Sequence, residues 1–218
     1  MKKAIFAILA LLPSAFLHAE KLNQDNDVQL WLKGSIKKEL LCWLAADFTS
    51  ESRFGGNASI FYFTYVQGRL MFTLGEGVVI APGFREEYFR LGSDAKWIST
   101  PVPMTDIIFK FKSGKWKFRD RNRIQYLLFD DLPKAWQYRN RLTILFPRKT
   151  GSSFNPLISE EVFFREGRGF FENRVEMGGF YTLDSWGETG LLYILRTREV
   201  EGKWLNFHNF RFRFDVAF

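Results

Sequence analysis

The last nine residues, Phe210-Arg211-Phe212-Arg213-Phe214-Asp215-Val216-Ala217-Phe218, put an apolar residue at every even position and a polar or small one at every odd position. Successive side chains of a strand point to opposite faces, so this segment is a strand with one greasy side and one wet side. Four Phe and one Val on one face, with Arg, Arg and Asp opposite, suit a strand between lipid and a polar lumen. Phe210, Phe212, Phe214, Val216 and Phe218 are therefore the expected lipid-facing signature of a barrel's closing strand, the segment that a barrel-assembly machinery would engage.

The other end agrees. Met1-Lys2-Lys3 is basic, Ala4 to Leu12 is an unbroken apolar run of nine, and Leu17-His18-Ala19 ends in a small residue, the three parts of a secretory signal peptide. At about 1.5 Å per residue, nine residues as a helix cannot cross roughly 30 Å of hydrocarbon. Residues 1–19 are read as a cleaved signal and 20–218 as one domain. The single cysteine, Cys42, excludes an internal disulfide and lies too far along to be a lipoprotein's modified cysteine. Between Leu41 and Trp43 it reads as an inert apolar-face residue.

Aromatic residues make up 18% of the chain, with 25 Phe, and the longest later apolar run is seven residues, Leu40 to Ala46. That is short of a spanning helix, so the rings must go to a core, a partner or lipid. Without Lys2 and Lys3 the balance is 29 basic to 24 acidic residues, a net charge of +5, which suits an anionic partner such as the phosphates of lipopolysaccharide. The charges fall at strand spacing, with no basic helical patch and no RNA-binding motif, which argues against nucleic acid.

Strand-like segments follow one another without a linker or a convincing helix: 28–35, 40–52, 59–74, 77–91, 105–112, 115–129, 136–146, 157–165, 169–182, 187–200 and 204–218. These are eleven, whereas bacterial single-chain barrels have even numbers. Breaking the third at Gln67-Gly68 gives twelve, and fusing the first two around Gly34-Ser35 gives ten. The expectation is all-β, a single antiparallel transmembrane β-barrel of ten to twelve strands, leaning to twelve. Tight turns and a long 92–104 loop suggest short connections at one end and long ones at the other, and an even count puts both termini on the periplasmic side.

Alternation also says what the barrel encloses. Arg211, Arg213 and Asp215 share the wet face of the last strand; Glu172, Arg174 and Glu176 share one face of theirs, and Arg119, Arg121 and Arg123 another. With Glu51, Arg53, Arg139 and Arg141 they form an expected lumen of interleaved guanidinium and carboxylate groups. Such groups satisfy one another in a narrow space, so a side-chain-filled barrel is preferred to an anion-conducting channel. If Trp116, Phe118, Ile124 and Tyr126 face lipid, so do Asp120 and Asn122, which calls for a bulge or a stretch above the membrane. Trp31, Trp43, Trp97, Trp136 and Trp204 are expected at the interfaces.

Several of these pieces carry a resemblance: Arg119-Asp120-Arg121-Asn122-Arg123-Ile124, Tyr138-Arg139-Asn140-Arg141-Leu142, Glu160-Glu161 within 155–164, Phe171-Glu172-Asn173-Arg174-Val175, and His208 to Phe218. Together with Trp31 and the 47–53 stretch they resemble the domain of unknown function 2490 (DUF2490), a set of Gram-negative outer-membrane proteins with a predicted barrel. The resemblance implies a fold and an outer-membrane location; it carries no reaction, cofactor or catalytic residue.

The residues leave other functions open. A barrel lipase or deacylase needs a nucleophile and a base, and after the signal only His208 can serve, near Asn206 or Asn209, with Ser159 or Ser185 reaching across. No metal-ligand spacing exists, and Gly-Glu-Gly at 75–77 and Gly-Arg-Gly at 167–169 read as turns. A small-solute, anion-leaning pore and a soluble periplasmic lipocalin-like lipid carrier, with the apolar faces turned inward, share the alternation. The leading expectation is an outer-membrane barrel with a narrow Arg/Glu lumen, structural or surface-binding, without cofactor or metal.

Overall fold

Alternation in every segment closes the chain on itself. In the computed structural model, which describes residues 22, 24–90, 95–129, 133–148, 150–183 and 186–218, eleven strands form one closed barrel. They are β1 (Asp27–Leu41), β2 (Leu44–Gly55), β3 (Ile60–Leu74), β4 (Val78–Phe89), β5 (Ile98–Ser113), β6 (Trp116–Leu127), β7 (Ala135–Leu145), β8 (Phe154–Arg165), β9 (Gly169–Leu183), β10 (Gly187–Val200) and β11 (Lys203–Ala217). No helix occurs among the described residues. The expected signal peptide, residues 1–19, lies outside them.

The strand count corrects the sequence expectation. Both adjustments made to reach an even number fail: β3 runs unbroken through Gln67-Gly68, and β1 and β2 are separate strands that turn at Cys42-Trp43. Each neighbour pair is antiparallel except one. With an odd number the first and last strands run the same way, so β1 and β11 close the barrel as a parallel pair, from Asp27 opposite Phe207 to Lys37 opposite Ala217. The start of β1 and the end of β11 consequently lie at opposite mouths, here called the β1 mouth and the β11 mouth. Long connections occur at both: 90–97 and 128–134 at the β1 mouth, 146–153 at the β11 mouth. Residues 98–104, expected in a loop, are the first part of β5, paired with β4.

Local chemistry fixes the turns. Glu201 and Gly202 both have positive φ, 50° and 78°, the signature of a two-residue type I′ hairpin that matches strand twist. Within β9, Gly178 has φ 149°, and a Cβ there would lie 2.2 Å from the Leu191 carbonyl oxygen; only glycine lets β9 and β10 approach this closely.

The interior mixes buried charges with buried apolar side chains such as Ile108, Leu192, Ile194 and Phe207, and the outer wall is largely apolar. Odd positions of β1 and β11 and their register partners turn inward, and large apolar residues on all strands turn outward, including Leu32, Ile36, Phe48, Leu70, Phe84, Phe109, Leu142, Met177, Leu191 and Phe210. Phe210, Phe212, Phe214 and Phe218 are 37–67% exposed on the outer wall. This is the reverse of a lipocalin, whose apolar faces turn inward. Six of the seven tryptophans are exposed near strand ends. They stack with outward rings in two tiers: Trp43 with Phe72 and Trp116 with Phe146 near the β11 mouth, Tyr126 with Trp136, Phe61 with Trp97, and Phe170 with Trp204 near the β1 mouth.

Trp31 is the exception. Expected at an interface, it is fully buried inside, because it shares the inward parity of Gln29 and Lys33. Asp120 and Asn122 face outward in the middle of β6 with no register shift beside them, so the expected bulge is absent. A hydrogen-bonded island holds them instead: Asn140 Nδ2 donates to Asp120 (2.7 Å) and Asn122 (3.1 Å), and Tyr138 Oη donates to Asn122 (2.6 Å). Next to it Asn173 Nδ2 donates to Glu160 (3.1 Å).

Candidate functional site: the charged interior

Five inward carboxylates, Glu51, Asp106, Glu161, Glu172 and Glu176, are each 2% exposed or less. Each collects more than one guanidinium. Arg123 grips Asp106 through Nε and Nη2 (2.8 Å for the latter), a two-pronged bond that the planar fork makes naturally, and Arg69 Nη1 adds a third at 2.6 Å. Glu161 accepts from Arg139 (2.8 Å) and from Arg121, with Arg174 at 4.0 Å. Glu172 binds Arg174 and Arg196 (2.9 Å), and Arg198 Nε stands 3.5 Å away.

The pairs join into a web across the lumen. Arg211 lies between Glu176 (3.0 Å) and Glu51 (3.4 Å), Glu176 also takes Arg141, and Glu51 takes Arg53 (2.7 Å). Arg123 on β6 reaches Gln67 on β3 at 3.3 Å, and Gln67 accepts from Arg85, which pairs with Glu87 at 2.8 Å. At the centre three guanidinium carbons lie over the Trp31 ring: Arg53 at 4.0 Å, Arg211 at 4.9 Å and Arg174 at 5.1 Å. A cation over an aromatic face is attracted by the ring quadrupole, so Trp31 is a hub at which three carboxylate-paired guanidinium groups meet. The void left among these groups is about 40 Å³, roughly one water's share of liquid.

Every residue expected in the lumen is placed on the inner wall, with differing partners. Glu51, Arg53, Arg121, Arg123, Arg139, Arg141, Glu172, Arg174, Glu176 and Arg211 belong to the web. Arg213 and Asp215 pair with each other nearer the β11 mouth, where Ser35 also donates to Asp215. Arg119 pairs with no carboxylate among the described residues. Sequence reading overlooked Asp106, Glu161, Arg69, Arg85, Arg196 and Trp31. Strand parity marks Glu161, two residues from Ser159 on the inner face of β8. Asp106 stands alone between apolar neighbours, and nothing local announces its two arginines from β3 and β6.

The candidate base and nucleophile do not meet. His208 lies outward on β11, its Nδ1 2.6 Å from Tyr193 Oη, while Ser159 is buried inside, 3.4 Å from Glu176. The barrel wall separates them. Asn209 points inward and donates to the Ile194 carbonyl oxygen, and Ser185 lies outside the described residues. Among the described residues no group of His, Cys, Asp or Glu has the arrangement to hold a metal ion.

Above the web, at the β1 mouth, the lumen opens into a cavity of about 300 Å³ lined by eight arginines, two glutamates and an aromatic wall that includes Phe89, Phe129 and Phe171.

A family model described as "Protein of unknown function (DUF2490)" matches residues 28–206, most of the barrel. The chain belongs to the DUF2490 family. No curated protein and no solved structure matches it. The match ends before Phe207, so it covers ten strands and the start of β11. It contains all five buried carboxylates and Trp31, while Arg211, which bridges two of them, follows it.

Proposed function

We propose that this DUF2490 protein is an outer-membrane β-barrel with a side-chain-filled lumen, serving a structural or surface-binding role and not a conducting one. The observation that supports the reading is a web of buried arginines and carboxylates inside and an outer wall of large apolar side chains, interrupted by the island around Asp120, Asn122 and Asn140. Water rewards the opposite arrangement, whereas hydrocarbon rewards this one. Two tiers of outward Trp, Phe and Tyr, one near each mouth, are the arrangement of aromatic girdles. Strands of 11 to 16 residues exceed the 9–11 that a tilted strand needs to span. In this reading the Phe210–Phe218 row is the feature offered to the barrel-assembly machinery, and lipid and lipopolysaccharide are the surrounding partners.

The test is made in two steps. Membranes from an expressing Gram-negative host are separated by density and washed with urea; the protein is expected in the outer-membrane fraction after the wash, and recovery among soluble periplasmic proteins overturns the reading. The purified protein is then placed in a planar bilayer in a salt gradient. Insertion without current is expected, because the void within the web is about the size of a single water. Steady anion-selective steps that disappear on replacing Arg121 and Arg213 would instead establish a pore.

A further inference from the structure

Arginines outnumber carboxylates along the lumen, and at the β1 mouth the excess borders an open cavity. Around that cavity Arg53 has Glu51, Arg85 has Glu87 and Arg139 has Glu161. Three more, Arg174, Arg196 and Arg198, divide the two oxygens of Glu172. Arg165 has no carboxylate in salt-bridge range among the described residues; its Nη2 reaches only Gln137 Oε1, at 3.3 Å, and its guanidinium carbon lies 4.9 Å from the centre of the Phe171 ring. The Nε atoms of Arg165, Arg196 and Arg198 are buried without a hydrogen-bond partner, as are those of Arg119, Arg121, Arg141, Arg211 and Arg213 elsewhere in the lumen; the three at the β1 mouth border the open cavity, and the Arg196 residue is itself 4% exposed. Buried donors without acceptors are costly and mark a place where an acceptor is expected.

Part of the same cavity's lining, at the ends of β4 and β6, is apolar. Phe89 and Phe129 meet edge to face, 6.4 Å between centroids, with Leu127 beside them in the lining. The cavity, at about 300 Å³, is at the lower end of the sizes that hold small ligands. It is lined by inward-facing residues near the strand ends at the β1 mouth, so in the membrane reading its occupant comes from the aqueous side.

We propose that the β1 mouth is a binding site for a small water-soluble amphiphilic anion: a phosphate or carboxylate head taken by Arg165 and Arg198, with a short apolar tail laid against Phe89, Leu127 and Phe129. Planar guanidinium groups present paired donors to either head group, and the aromatic side excludes water from the tail. This deepens the surface-binding reading of the barrel, yet it depends on the cavity and not on the membrane.

The experiment is isothermal titration of the purified full-length protein, folded in a nonionic detergent, with octyl phosphate, inorganic phosphate and octanol. Saturable one-to-one binding of octyl phosphate is expected, with both controls at least about tenfold weaker because each lacks one half of the ligand. The Arg165→Gln/Arg198→Gln double variant should lose about tenfold or more for octyl phosphate, the scale of one charge-assisted hydrogen bond. If that variant fails to fold on a heat-modifiability gel, Arg165→Gln alone and Phe129→Ala are titrated, and each is expected to weaken octyl phosphate. Absence of saturable binding, or equal affinity in folded variants, overturns the site. To separate a free amphiphile from a membrane phospholipid, phosphatidate is included in nanodiscs holding the protein. Competition by phosphatidate at equal strength would reassign the site to lipid and overturn the water-soluble occupant. A protein found soluble in the periplasm that still binds octyl phosphate would fail the membrane reading while keeping this one.

Discussion

Glu161 sits buried against Arg121, Arg139 and Arg174 inside the barrel. A buried ion pair adds modest net stability, because desolvation offsets its attraction, but removing one partner strands the others. Glu161→Gln is therefore expected to lower unfolding stability by about 3–5 kcal/mol, read as a shift in the urea midpoint followed by tryptophan fluorescence. An unchanged midpoint would mean the three arginines find other partners. The outward island makes a subtler case. Asn140→Leu adds apolar surface to the outer wall, yet it removes the amide that donates to both Asp120 and Asn122. In hydrocarbon an unsatisfied polar group has no water to turn to, so a loss of about 1–3 kcal/mol is expected in the same urea titration. A neutral or stabilised variant would place this part of β6 and β7 in contact with water.

At the scale of the strand, β9 depends on a backbone conformation and β11 on a pattern. Gly178→Ala must put a Cβ 2.2 Å from the Leu191 carbonyl oxygen at φ 149°, a region essentially reserved for glycine, at a cost of about 1–3 kcal/mol. The β9–β10 pair has to separate locally, which hydrogen exchange of the Leu191 and Leu192 amides would register as faster than in the parent. Phe212, opposite Leu32 on the outer wall, tests the lipid-facing pattern. Phe212→Arg should destabilise the barrel in lipid by about 2–4 kcal/mol if the position is near the bilayer midplane. The same change in a water-exposed strand would be close to neutral, so the sign of this result bears directly on what surrounds β11.

For the whole molecule the deciding element is the single parallel pair that closes the barrel. Leu32 and Phe212 are register partners with side chains on the same outer face, and neighbouring strands bring Cα atoms within the span of a disulfide. With the exposed Cys42 replaced by serine, Leu32→Cys/Phe212→Cys should cross-link under mild oxidation and migrate faster on an unreduced gel. The mismatched pair Leu32→Cys/Lys203→Cys should not. Cross-linking of neither, in a protein that still resists heat in detergent, would mean that the barrel closes in another register or with another number of strands.

The sequence by itself determined the all-β class, the approximate position of most strands and the two-faced character of β11, because a period of two is written in consecutive residues and needs no partner to be read. It also marked most of the inward charges, since parity carries each face along its strand. Parity equally marked Trp31 as inward beside Gln29 and Lys33, and only the habit of placing tryptophan at interfaces hid it. The eleven strand-like segments carry the strand number, which departs from the even numbers of bacterial single-chain barrels. Nothing local reveals that β1 and β11 can pair in parallel, because closure is a property of all the strands together. Which arginine meets which carboxylate was likewise decided only by tertiary structure: Asp106 and Arg69 are 37 residues apart and Arg211 and Glu176 35. Tilt and register bring such groups to one height in the lumen, a distance that no short motif can span.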